Sequence, residues 1–225
     1  MSEMTGTRKS GWRQDPDGVR ANILDVATGV FAENGFSGAR IEEIVRRTET
    51  SKRMIYYYFG DKEGLYQRVL EAVYARLRKA EEALDLSALA PREALARIAE
   101  FTFDFHRKHP DYIRLITIEN IHDARNLRNS KTIPNLNSTI IERLERICAR
   151  GIADGAFRQD VDPVEVHWLI SAQCVFNVSN RATFSHLYGE DLFSNDGQLR
   201  LKKQLVAAVL GAVIPQERNG QARHG

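Results

Sequence analysis

The sequence predicts an all-α protein: an N-terminal three-helix domain carrying a helix-turn-helix, then a larger C-terminal helical domain. Three observations predict it. Apolar residues recur at steps of three and four through most of the chain, the spacing of one face of an α-helix. Glycine and proline punctuate those stripes at Gly60, Pro91, Pro110, Gly155, Pro163 and Pro215. No alternating apolar and polar run with hairpin residues at its ends is present. A chain of 225 residues accommodates one small and one larger domain. The expected boundaries are a disordered basic arm over 1–18, the helix-turn-helix domain over 19–66, the second domain over 67–215 and a disordered tail over 216–225.

Residues 8 to 20, the arm and the two residues after it, carry Arg8, Lys9, Arg13 and Arg20 among glycine and proline. This segment is read equally as an arm reaching phosphates or the minor groove and as a solvated tail. In the small domain, Ile41, Ile44, Val45 and Thr48 fall on one face of a short helix, with Glu42, Glu43, Arg46 and Arg47 on the other. Acids lead and bases follow, as the helix dipole favours. Ser51 is an N-cap for the next helix, whose inward stripe is Ile55, Tyr58 and Phe59. Lys52, Arg53, Met54, Tyr56 and Tyr57 face outward. Gly60 stops this helix and Asp61 caps another beginning at Lys62. The second helix is basic and aromatic, with no acid inside it, and an exposed Tyr-Tyr pair beside Lys-Arg has little reason to exist on an inert surface. One helix bracing the DNA backbone while the next enters the major groove is how such a segment reads.

Beyond it, Leu65, Val69, Val73, Leu77, Ala80 and Leu84 step through a long helix that links the two domains. Pro91 opens another that ends near His109-Pro110, because the residue before proline disfavours helix. Further helices are expected from Asp111 to about Ala124 and from about Ile133 to Ala153. Two more run from Asp162-Pro163 to about His186 and from roughly Gln198 to Ile214. The last two are apolar on more than one side. Trp168, Leu169, Ala172, Val175, Phe176 and Val178 exceed one stripe, and Leu201, Leu205, Val206, Ala208, Val209 and Leu210 wrap most of the final helix. Such helices must be buried on more than one side, either in the chain's own core or in a homodimeric four-helix interface.

The residue set around the helix-turn-helix resembles the N-terminal domain of the TetR family of one-component bacterial transcription regulators. Its Tyr-x-Tyr-Phe and Lys-Glu elements are matched by Tyr56, Tyr58-Phe59 and Lys62-Glu63, and its first helix by Ile23, Leu24, Ala27 and Phe31 before Gly35-Phe36. The tight resemblance covers about residues 19–66. Two positions depart from the family pattern. Thr48-Glu49-Thr50-Ser51 replaces the usual Ala-Gly-Val-Ser turn, and a left-handed residue at Glu49 would cost roughly 1–2 kcal/mol. Ala39-Arg40 replaces Thr-Thr, so a guanidinium stands in for a hydroxyl on a phosphate.

The resemblance implies a ligand-responsive repressor that binds a palindromic operator in double-stranded DNA as a homodimer through its last two helices. Arg40, Ser51, Lys52, Arg53, Met54, Tyr56, Tyr57 and Lys62 are the expected DNA contacts, with Arg40 and Lys62 on flanking phosphates. Polar residues inside apolar patterns, Asn120, His122, Asn177 and Arg181, are candidates to line a pocket for a small-molecule effector. The segments around His109–Leu115 and Ser179–Ser185 are similar to TetR regulators of pyrimidine and N-heterocycle breakdown, which implies a planar, anionic heterocycle. The alternatives are a constitutive or activating regulator, a helical enzyme with an accessory head, or a protein-binding module.

Composition narrows the rest. No apolar run approaches the roughly 20 residues of a membrane span, and the N-terminus lacks a signal-peptide core, so cytoplasm is expected. The net charge of +2 does not argue nucleic-acid binding by itself. Cys148 and Cys174 stand alone without metal-ligand spacing and read as buried packing. No phosphate-binding lysine loop, zinc-helix motif or nucleophile elbow occurs. Neither catalysis nor a cofactor or metal is expected.

Overall fold

The computed structural model describes residues 15–48 and 50–215, and the secondary structure there is helical throughout. The head consists of α1 (Pro16–Gly38), α2 (Ile41–Thr48) and α3 (Lys52–Phe59), and α4 (Lys62–Glu82) runs from it into the body. The body adds α5 (Pro91–Lys108), α6 (Pro110–Ile121), α7 (Thr132–Ala153), α8 (Pro163–Ser179), α9 (Arg181–Tyr188) and α10 (Asn195–Val213).

Local chemistry sets the boundaries. Asp15 caps α1 by accepting from the Gly18 N–H at 2.8 Å. Helix therefore begins inside the arm expected over 1–18, and the rest of that arm, like the tail from 216, lies outside the described residues. Gly35, with φ 69 and ψ 175, bends the end of α1 in a conformation open to glycine alone. Ser51 accepts from the Met54 N–H at 3.2 Å and starts α3. Gly60 at φ 79 ends it, its N–H returning to Tyr56. Glu49, where a left-handed residue was considered, lies outside the described residues.

Two apolar clusters fill the molecule. The first joins the head to the near half of the body: Ile23, Phe31, Ile44 and Ile55 pack with Leu65, Tyr66, Ile113 and Leu115. The second fills the far end with Leu95, Phe103, Leu144, Phe157, Ile170, Leu205 and Val209. Because α1 packs on both α4 and α6, the head rests on two helices of the body at once.

Three expected helices end elsewhere. The helix expected to reach Ala124 stops at Ile121, where Asp123 and Ala124 take φ of 54 and 55. The cause is Glu119, 1% exposed, whose carboxylate accepts from Asn126 N, Asn126 Nδ2 and Leu127 N and draws the chain into a single 3-10 turn over Leu127–Asn129. The helix expected over 162–186 is two. It breaks at Asn180, whose amide bonds Ser179 Oγ while its carbonyl accepts from Thr183, local bonds that compete with the helix ladder. The linking helix stops at Glu82 rather than Leu84, and Arg143 takes the freed carbonyls of Glu81 and Leu84.

Candidate nucleic-acid interface and effector cleft

Burial sorts the side chains of α3 into an inward and an outward set. Ile55 and Phe59 are sunk in the head core and Tyr58 is half-buried, while Lys52, Arg53, Tyr56 and Tyr57 are exposed. Tyr57 is 77% exposed and stands edge-on to Tyr58 at 5.2 Å. Met54, expected to face outward, is half-buried. Lys52 Nζ reaches Glu42 on α2 at 2.6 Å and lies 5.9 Å from the Tyr56 ring. That ion pair lowers the Glu42 carboxyl and raises the Lys52 ammonium, in each case chiefly through their mutual hydrogen bond. Arg40 is exposed just ahead of α2, its carbonyl accepting from Glu43 and Ile44. Ser51 spends its hydroxyl on capping. Lys62 is half-buried, with Nζ 4.9 Å from the Phe36 ring centroid, so its ammonium lies on the head's own aromatic face.

Beneath the head lies an open cleft of about 1360 Å³ between the end of α1, α5, α6 and the α8–α9 junction. Asn177 and Arg181 line it; Asn120 and His122 do not. Asn120 turns back to its own helix at Ile116, and His122 is exposed at the end of α6. Asn177 exchanges both amide bonds with Gln198, at 2.9 and 3.0 Å. Arg181 is exposed, 4.0 Å from Glu190 and above the Phe193 ring, and not enclosed in an apolar helix as its sequence context suggested. The cleft's acids are all engaged: Glu33 by Arg47, Asp104 by Lys202 and Glu190 by Arg181. Among the described residues Arg107, Lys108 and Arg114 have no such partner, which leaves the cleft wall cationic.

Sequence reading missed the buried polar groups of the body: Glu119, and the group of Arg78, Glu81 and His106. A signal for the latter was available. Tyr74, Arg78 and Glu81 step by four and three alongside the Val73-Leu77 stripe, which puts ionisable residues on an inward face.

The head, with its exposed basic and aromatic helix, and the cleft-bearing body define a two-domain helical DNA-binding protein. Residues 23–69 match the family described as bacterial regulatory proteins, tetR family, and residues 91–209 the tetracyclin repressor-like C-terminal domain. The chain belongs to the TetR family of transcription regulators. It is 38% identical over 187 residues to the HTH-type transcriptional repressor NicS of Pseudomonas putida, spanning 83% of this chain and 88% of that protein. To the repressor SCO4008 of Streptomyces coelicolor it is 31% identical over 105 residues, 46% of this chain and 50% of the relative. Its fold is similar to the crystal structure of the regulator SCO4942 of the same organism, with a TM-score of 0.67 and 27% identity over 87% of this chain and 98% of that one. Among the described residues no helix is long and apolar enough to cross a membrane.

Proposed function

We propose that the protein is a homodimeric repressor that holds a near-palindromic operator with two copies of α3 and is released by a small-molecule effector. The observation that carries the reading is the outward face of α3, where Lys52 and Arg53 stand beside exposed Tyr56 and Tyr57 with no structural need for that exposure. The repressor sign is supported by the names of the two curated relatives.

Dimerisation is supported by large apolar side chains that stay exposed among the described residues. Val164, Trp168 and Phe176 of α8 and Leu199 of α10 are large and exposed, and a face of this kind on a regulator marks an interaction surface. Two heads on such a dimer would read half-sites about 34–36 Å apart or a multiple of that distance.

For the effector, the supported place is the cleft that Asn177 and Arg181 share. Its cationic wall suits an anion, and residues 32–35 of α1 form part of it, so an occupant bears directly on the head. Each ligand then weakens the other by the same factor. A salt-dependent gel shift on the DNA upstream of the protein's own gene tests the function. No preference for that DNA over scrambled sequence at any salt concentration would overturn it.

A further inference from the structure

A pocket for a drug-sized molecule encloses roughly 300–1,000 Å³, and the open cleft beneath the head holds about 1360 Å³. Its charge is also unbalanced. Glu33, Asp104 and Glu190 are each paired with a cation. Arg107 and Lys108 at the end of α5 and Arg114 on α6 meet no carboxylate among the described residues. Three like charges on one concave wall focus an attractive field for anions. The α8–α9 side is built differently. Arg181 stands over the Phe193 ring, its guanidinium carbon 5.6 Å from the centroid, and both residues line the cleft. Asn180 gives α9 no side-chain cap, so the first N–H groups of that helix, at Arg181 and Ala182 on the cleft wall, have no acceptor within it. Ser185 also lines the cleft, and its buried hydroxyl lacks a hydrogen-bond partner among the described residues.

We propose that this cleft takes a nucleoside triphosphate, with its phosphates on Arg107, Lys108 and Arg114 and its base stacked at Arg181. This ligand class rests on the reading of the cleft as the effector site. One carboxylate leaves two of the three cations unmet, whereas a triphosphate chain presents oxygens to all of them. Arginine grips phosphate through two N–H groups and lysine as a point charge. A guanidinium plane stacks on a flat ring, so Arg181 offers a base a contact that an inorganic polyphosphate cannot use. The Ser185 hydroxyl and the uncapped N–H groups of α9 supply donors for the base or sugar. Charge entering the cleft also meets Glu33, which lines it and holds Arg47 of α2 at 3.1 Å. A polyanion beside that carboxylate repels it and loosens the tie between α1 and α2. Occupancy then bears on the head without passing through α4.

Calorimetric titrations and thermal melts of the full chain with ATP, UTP, sodium tripolyphosphate and adenosine, in EDTA at constant ionic strength, test the site. Both nucleotides are expected to raise the melting temperature and to bind more tightly than tripolyphosphate; adenosine is expected to do neither. Arg107→Gln with Arg114→Gln should weaken nucleotides and tripolyphosphate alike, roughly tenfold for two exposed charge pairs. These side chains are exposed, so the double variant should melt like the wild type without ligand. Arg181→Ala should bring the nucleotides down to the affinity of tripolyphosphate and leave tripolyphosphate itself unchanged. A polyanion can also settle on α3, and Lys52→Gln with Arg53→Gln controls for that; this variant should still bind ATP as the wild type does. Melts indifferent to both nucleotides sink the proposal, as does a response lost in the α3 variant but kept in the cleft variant. Tripolyphosphate bound as tightly as either nucleotide overturns the nucleoside assignment. ATP that binds in the cleft yet leaves affinity for the DNA upstream of the protein's own gene unchanged sinks the effector reading instead, and the nucleotide site stands.

Discussion

Lys52 Nζ lies 2.6 Å from Glu42, an exposed pair between α2 and α3 that must open before the ammonium can reach a phosphate. Glu42→Gln should therefore strengthen binding to operator and scrambled DNA alike and steepen the salt dependence by up to about one ion, which titrations at several salt concentrations measure. Arg53→Ala and Tyr57→Ala should each lose about 1–3 kcal/mol on the operator and relax its specificity; unchanged operator affinity in both would remove α3 as the reader. Lys62→Ala should weaken all DNA equally and also lower head stability by about 0.5–1 kcal/mol, because its ammonium lies on Phe36. Buried titrating groups add a pH dependence. Burial first, then the charges of Arg78, His167 and His109, push His106 from 6.5 down to about 4. His167 is likewise pushed to about 4, by burial and then Arg78. Their share of stability is complete above 6.5 and lost as pH falls toward 4, since the unfolded imidazoles bind protons that the folded ones refuse. Glu81 runs the other way. Burial raises its carboxyl to about 7 from 4.5, so its share is complete below 4.5 and lost as pH rises through 7. Two imidazoles outweigh one carboxyl between these limits. Thermal melts should fall between about pH 7 and about pH 5, and fall less in His106→Gln.

At the scale of elements, α2, α3 and the start of α4 were legible because their caps and stripes are local. Ser51, Gly60 and Asp61 act within four residues of themselves, and no distant contact overrides them. The ends of α6 and α8 were not legible. Glu119 sits in an apolar run and reads as one more helical residue until the fold buries it against the following turn. Removing it strands three N–H donors, so Glu119→Ala should lose about 3 kcal/mol or more in denaturant titrations. A loss below about 1 kcal/mol would mean that water replaces the carboxylate. Asn120 and His122 were expected at a pocket because they follow Ile116 and Ile118. The early stop of α6 instead leaves His122 outside, and Asn120 bonds its own helix.

At the scale of the molecule, the apolar excess of α8 and α10 divides between two fates. Leu205, Val209 and Val213 are fully buried within the chain, whereas Trp168 is 70% exposed. A charge at Val209 should therefore unfold the protein, and only a charge on the outer face tests association. Trp168→Glu should keep the helical spectrum and melt of a folded monomer while shifting sedimentation from dimer to monomer and weakening operator binding. Wild-type protein that sediments as a monomer at micromolar concentration would contradict the dimer. Arg181→Ala should weaken the response to effector while leaving operator binding intact. Equal induction in the variant and the wild type would remove Arg181 from the site.

The sequence by itself determined the helical class, the helix-turn-helix and the caps that bound α3, because helix caps, 3.6-residue stripes and glycine stops act over a few residues and leave their mark on the chain. It also marked α8 and α10 as too apolar for a simple surface. Tertiary structure alone decided which of those apolar residues stay exposed, which polar residues share the cleft, and that Arg78, Glu81 and His106 are buried. The reason is physical: burial and pairing depend on helices far apart in sequence, and a charged residue on a helix reads as solvated until another helix is laid over it.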